Sequence, residues 1–408
     1  MSGKPGPLQT RIAPASQSRY TKYSAARPST SCPKVFTPRA QRLHRPPSVV
    51  VFGIVPHSRT RTQRDSQATT DARFMQLALE EARKGLGATS PNPPVGAVVV
   101  KNKRVLAKGH HAQAGGPHAE PAALAQCSAR QLKGATLYVT LEPCSTQGKT
   151  PPCTQAIIDA QIARVVFGAT DPNPHHKGRA SRILRAQKIA VVSGILKADC
   201  EHLIRFFTKS ITANRPYVIA KSAMTLDGRI TTTNPSQPWI TGPAARKEVQ
   251  ALRAEVDAIL VGGATLRADN PRLTLRGDFA KLPRPQPWRV IQTRSGRLPK
   301  SSRVFTDRHK DRTLVFKKQS LRQILRHLHA RGVSSLLIEA GGNVMGQAFK
   351  QQVVDEVRFY LAPTIGGGPN RSVEGHGFSC QLSNLLVEPV GKDLRVTATP
   401  IYPNKVKK

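Results

Sequence analysis

Hydrophobic positions first recur at helical spacing at Phe74, Leu77, Ala78 and Ala82, which predicts an amphipathic helix over 71–86 capped by Thr70 or Asp71. Ala97 to Val100 reads as a buried strand, and Lys101-Asn102-Lys103 turns it into a partner over 104–109. The pattern then alternates: helix 118–127, strand 136–140, helix 152–160, strand 164–169 and a weaker helix–strand pair ending at Val192. A helix over 199–213 leads to a second run, with strand 217–223, helix 243–253 and strands 258–261, 289–292 and 313–316. Helix 321–331, strand 335–339, a helix from Gly342 and strand 356–361 complete it. Such alternation predicts layered α/β domains with largely parallel sheets, and its restart places a boundary near 210–216.

Residues 1–70 break the pattern. They hold no acidic residue before Asp65 and are rich in Arg, Ser, Pro and Thr, so they are expected to be a disordered basic extension. The same composition suits an organelle transit peptide, which makes a plastid the alternative to a cytoplasmic location. No apolar run approaches the roughly 18 residues of a membrane span.

Across 408 residues, 63 Lys+Arg against 24 Asp+Glu leave a formal charge of +39 and raise the question of a nucleic-acid partner. The excess is spread along the chain, and aromatics make up only 5%, too few for a stacking platform. A small-molecule partner is therefore favoured over a nucleic-acid deaminase or RNA-binding module, and a homo-oligomer is allowed. Six cysteines in so long a chain do not make a disulfide scaffold and fit a reducing compartment.

Two cysteines have a better use. Gly-Gly-Pro-His-Ala-Glu (115–120) and Leu-Glu-Pro-Cys-Ser-Thr-Gln-Gly-Lys-Thr-Pro-Pro-Cys (141–153) carry the elements of a zinc hydrolytic deaminase, written H-x-E…P-C-x-x-C. His118, Cys144 and Cys153 are the expected ligands of one zinc ion, with water in the fourth position. Cys153 follows two prolines and should open a helix, whose N-terminal N–H groups favour a thiolate. Zinc lowers the pKa of a bound water towards about 7, and Glu120 should carry its proton to departing ammonia. The cysteines stand nine positions apart, where the general pattern has three.

With Thr-Ser-Pro-Asn-Pro-Pro-Val-Gly (89–96) and Asp-Pro-Asn-Pro (171–174), these segments resemble the bifunctional riboflavin-biosynthesis deaminase–reductase of bacteria and plants. The resemblance covers about residues 71–370. It implies a cytidine-deaminase-like three-layer domain over 71–213, followed by a dihydrofolate-reductase-like domain over 214–408. It also implies the substrate, 2,5-diamino-6-(ribosylamino)pyrimidin-4-one 5′-phosphate, with Asn92 positioning the pyrimidine and Lys149 near the phosphate. Thr146 and Gln147 depart from the family, which usually has His after Pro-Cys-Ser, and Ala122-Ala123 replace a commonly polar position. These departures leave a reductase with a weakened deaminase domain as an alternative.

In the second half, Lys221 to Arg229, Ile259 to Arg276 and Ile338 to Gly342 resemble the reductase of the same family. No G-x-G-x-x-G follows a strand, although Gly341-Gly342 at a strand-to-helix turn could cradle a phosphate. The resemblance implies NADPH, lined by Ala223, Trp239, Thr265, Asp269, Thr293, Gly341, Gly342 and Asn343. It implies substrate contacts from Gln237, Arg253, Leu273, Arg276 and Glu339, and a paired Arg253–Arg276 fork would suit a 5′-phosphate. Lys221 and Asp227 stand in the same segments without an assignable role.

Overall fold

A computed structural model describes residues 62–147, 151–233 and 239–403. Lys149, Gln237 and the extension as far as residue 61 lie outside the described residues. Both sheets belong to one compact unit, residues 59–408. Among the described residues no helix is long and apolar enough to cross a membrane.

The first half runs α1 (Thr62–Arg83), β1 (Gly96–Lys101), β2 (Arg104–His110), α2 (Ala119–Leu124), α3 (Ala129–Leu132), β3 (Thr136–Leu141), α4 (Cys153–Asp159), β4 (Arg164–Ala169), α5 (Arg179–Ala186), β5 (Ala190–Ser193), α6 (Lys197–Leu203) and α7 (Arg205–Ala213). The sheet order is β2-β1-β3-β4-β5. β1 pairs antiparallel with β2 and β3, and only β3, β4 and β5 run parallel, so the sheet is mixed where a largely parallel one was expected. Alternate residues of the strands face opposite layers. Val98, Val100, Tyr138 and Val166 pack on α1 and α6, while Ala97, Val99, Leu137, Val139, Val165 and Phe167 pack beneath α2, α4 and α5. Gly109 lets α2 approach: a Cβ there would lie 2.5 Å from the Ala123 nitrogen.

α1 starts nine residues before the expected boundary, so residues 62–70 belong to the folded unit and Asp71 is no cap. Asp71 is buried mid-helix and accepts from Tyr138 Oη at 2.7 Å and from Arg164 Nη1 and Nη2 at 2.8 and 2.6 Å. That bidentate pair ties α1 to the start of β4.

The second half runs β6 (Tyr217–Thr225), α8 (Pro243–Glu255), β7 (Ala258–Gly262), α9 (Gly263–Asp269), β8 (Trp288–Thr293), α10 (Arg303–Thr306), β9 (Thr313–Lys317), α11 (Leu321–Ala330), β10 (Ser335–Ile338), α12 (Gly342–Lys350), β11 (Glu356–Ala362), β12 (Gln381–Val390) and β13 (Asp393–Ile401). Its eight strands are ordered β12-β13-β11-β6-β10-β7-β8-β9. β11 through β9 in that order are parallel, and β13 and β12 add an antiparallel ribbon to one edge. Val218, Ala220, Leu260, Val290, Leu336 and Ile338 pack on α11 and α12, and Ile219, Ile259, Val261, Ile291 and Leu337 pack on the α8 and α9 side.

The halves meet at α7. Phe206 enters the core of the second sheet, and Ser210, four residues on, lies 3.3 Å from His329 Nδ1. Phe207 and Ile211 occupy the neighbouring stripe and face a cavity in the first half. A second joint lies beside that cavity, where Ser90 Oγ donates to Asp257 Oδ2 (2.9 Å) just before β7.

Candidate functional site

His118 is the N-cap residue of α2, and Cys153 opens α4 with Pro152 as its N-cap residue, so two helix starts converge on the loop after β3 that carries Cys144. His118 Nδ1 lies 3.3 Å from Cys153 Sγ and 3.5 Å from Cys144 Sγ, and all three donor atoms lie within 4.8 Å of one another. Tetrahedral zinc, with bonds of about 2.3 Å to sulfur and about 2.0 Å to nitrogen, requires donor spacings of roughly 3.5–3.8 Å. The set therefore fits zinc with one position to spare. The Cys153 N–H points at Cys144 Sγ (3.2 Å). Hydrogen bonding from the Cys153 thiol, with His118 and that N–H, pulls the Cys144 thiol down to about 4, while the hydrogen bond to Cys144 and burial drive Cys153 upward. Two thiols sharing one proton behave this way, and a divalent cation would displace the proton and take both as thiolates.

Glu120 sits in the first turn of α2 with 3% of its surface exposed, within hydrogen-bonding reach of Cys153. Burial, reinforced by the Cys144 charge, pushes its carboxyl up to about 7, so it exchanges protons near neutrality.

A cavity of about 510 Å³ opens over this cluster. His111 and Asn92 form one wall: His111 Nδ1 lies 2.8 Å from the Pro117 carbonyl, which can only accept, so Nδ1 carries the proton. Nε2 is then an acceptor for the Asn92 amide nitrogen at 3.2 Å, which leaves Asn92 Oδ1 for a ligand. Thr146, Asp171, Asn173, His176, Phe207 and Ile211 line the rest. The motifs carried Asn92 and Asp171, but nothing local marked His111, His176, Phe207 or Ile211.

The second half gathers its expected residues at the carboxyl ends of β10, β7 and β8, where ligands bind in open α/β sheets. Thr265 Oγ1 lies 3.9 Å from the point a Gly341 Cβ would occupy, and Thr293 Oγ1 stands 3.1 Å from the corresponding point at Gly263. A Cβ at Gly341 would meet only ordinary contacts. Gly342 has another reason to lack a side chain, since its Cβ would lie 2.5 Å from the Arg371 carbonyl and 2.6 Å from Glu374. Asn343 is exposed and accepts from Gln347, and Asp269 is exposed one turn beyond Thr265. Ala223 packs partly buried beside Tyr360. Trp239 is 60% exposed and carries the Arg246 guanidinium 5.1 Å from its ring centre, in a cavity shared with Thr225, Thr241 and Lys392. Asp227 is a loop latch, accepting from the Gly366 and Gly367 N–H groups at 2.8 and 3.0 Å.

The expected Arg253–Arg276 fork has a carboxylate beside it. Arg253 Nε and Nη2 donate to Glu339 Oε1 and Oε2, both at 2.7 Å, because the last turn of α8 faces the end of β10. Its Nε/Nη2 edge is thus committed to Glu339, the Nη1 side is not, and Arg276 stands exposed nearby. Leu273, with a φ of 52° and 2% exposure, points into the core, so only its backbone is offered to a substrate. Burial opposes the Glu339 charge, yet Arg253, Lys221 and Arg276 hold its carboxyl down to about 2. Burial in turn lowers the Lys221 pKa against the pull of Glu339.

The chain matches two family models, the cytidine and deoxycytidylate deaminase zinc-binding region over residues 68–169 and the RibD C-terminal domain over 216–396. It is 36% identical to the riboflavin biosynthesis protein RibD of Actinobacillus pleuropneumoniae, over 82% of this chain and 96% of that protein. With the RibD of Synechocystis the identity is 39% over 73% and 86%. Among solved structures it is similar to Acinetobacter baumannii RibD (TM-score 0.73, 35% identity, covering 82% of this chain and 99% of that one). It is also similar to the Thermotoga maritima diaminohydroxyphosphoribosylaminopyrimidine deaminase/5-amino-6-(5-phosphoribosylamino)uracil reductase (TM-score 0.74, 36%, covering 82% and 100%).

Proposed function

This chain belongs to the RibD family of bifunctional deaminase–reductases of riboflavin biosynthesis, and from that membership we propose how its residues divide the two reactions. The first half is a zinc-binding deaminase and the second a reductase that uses NADPH. The first cavity takes 2,5-diamino-6-(ribosylamino)pyrimidin-4-one 5′-phosphate, adds water at the ring carbon bearing the 2-amine and releases ammonia.

The observation that carries this reading is the convergence of His118, Cys144 and Cys153 beside a buried Glu120 at the floor of one cavity. Zinc, when bound, supplies an acidified water there. Glu120 takes a proton from the water and delivers it to the leaving amine, a relay that its raised pKa suits. Asn92 Oδ1, turned inward by His111, accepts from the pyrimidine ring N–H. Lys149 near the phosphate remains an expectation of the resemblance.

In the reductase, NADPH supplies a hydride to the ribosyl carbon attached to nitrogen. The ring oxygen leaving that carbon needs one proton, and we assign its delivery to Lys221, whose lowered pKa makes it a readier donor. Glu339 holds Arg253 in place, and its charge reaches Lys221. Thr265, Thr293 and Gly341 line the NADPH crevice, with Ala223, Trp239 and Asp269 on its approaches. Arg276 and the Leu273 backbone meet the substrate. We place both steps in the cytoplasm, or in a plastid if the basic extension directs the chain there.

Cys144→Ser tests the metal centre. We expect the purified variant to lose its equivalent of zinc and its ammonia release, while oxidising NADPH on the deaminated substrate at the wild-type rate. Full zinc content in the variant would contradict the assigned ligand set.

A further inference from the structure

Part of the cavity lining is built by a loop that the mechanism above leaves unused. Glu142, buried one residue before Pro143-Cys144, accepts from Gly178 N–H at 3.0 Å and from Asp171 and Ser181 N–H at 3.4 Å. Asp171 Oδ1 accepts from Asn173 N–H (2.8 Å), and the Asn173 carbonyl accepts from His176 N–H (2.9 Å). The loop is thereby fastened to the strand end that presents a metal ligand. It delivers the half-buried His176 ring to the cavity, with Nδ1 3.4 Å from Thr146 Oγ1. A threonine hydroxyl can donate or accept, so it holds the ring at Nδ1. Nε2 has no hydrogen-bond partner among the described residues.

We propose that His176 is a substrate-binding residue of the deaminase cavity, contacting the phosphate of the ribosyl-phosphate arm. This deepens the deaminase reading and rests on it. The orientation follows from the chemistry at the metal site: the amine that leaves must face Glu120 and the three metal ligands. The ribosylamino arm at C6, two ring atoms from that amine, then points away from the metal ligands towards the rest of the cavity lining, which includes His176 and Thr146. The phosphate is the arm's one charged group, and an imidazole N–H donating to it makes a charge-assisted bond. Thr146's part is to hold the ring.

The test compares ammonia release by the full chain and by His176→Ala, on the 5′-phosphorylated diaminopyrimidine and on its dephosphorylated nucleoside. Loss of one charge-assisted hydrogen bond should raise KM for the phosphorylated compound by about ten- to a hundredfold. We expect kcat within about twofold of wild type and an unchanged KM for the nucleoside. His176→Gln, which keeps a donor, should recover part of the loss. NADPH oxidation on the deaminated substrate by the same preparations should be unchanged, showing that the variants fold. An equal rise in KM on both compounds, an unchanged KM, or a loss confined to kcat would overturn the proposal. No ammonia release from the wild-type chain would instead refute the deaminase reading beneath it.

Discussion

Glu120→Gln is expected to lower ammonia release by roughly 10²–10⁴-fold, the scale of losing a positioned proton carrier. The amide has the size of the carboxyl but cannot accept and return a proton. Because Glu120 lies beside the ligand set without being part of it, the variant should bind zinc as wild type does. NADPH oxidation on the already deaminated substrate should also be untouched, since we assign that chemistry to residues at the other sheet. Metal analysis and two separate rate measurements check all three statements. Loss of zinc would make Glu120 a ligand, and loss of both activities would mean the sites are not independent.

Glu339→Ala should have the largest effect on the second half. It leaves the buried Arg253 without its carboxylate partner, and removing one partner of a buried pair costs about 3–5 kcal/mol. We expect NADPH oxidation to disappear and thermal stability to fall. The wild-type pair also has a pH signature. The folded Glu339 carboxyl sits at about 2, below its ordinary value of 4.5, so its contribution is fully present above about pH 4.5 and fades as pH falls from there towards 2. Acid unfolding followed by circular dichroism should therefore show a shallower loss across that window in the variant. A variant as stable and as active as wild type would remove Glu339 from the centre of the reductase.

The zinc set was legible because its chemistry is local. A histidine at a helix start, a glutamate two residues on and a cysteine behind two prolines each declare their setting within a few positions. Residues on opposite elements declared nothing. Phe207 and Ile211 face the first cavity only because Phe206 and Ser210 are taken by the second sheet, a choice made by packing between halves. Arg253 and Glu339 stand 86 positions apart, so two cations that each suited a phosphate could not be seen to have different neighbours. α9, opening on Gly263, has no element predicted for it, and the β12–β13 ribbon left no mark because β12 is exposed along most of its length.

The most direct test of two reactions in one chain is an assay of the purified wild-type protein on the phosphorylated diaminopyrimidine, first without NADPH and then with it. One ammonia per substrate should appear without NADPH and no reduced product form. Adding NADPH should then oxidise one equivalent as the ribosyl arm becomes ribityl. Ammonia release that depends on NADPH, or NADPH oxidation with no ammonia released beforehand, would contradict the division of labour assigned to these two sites.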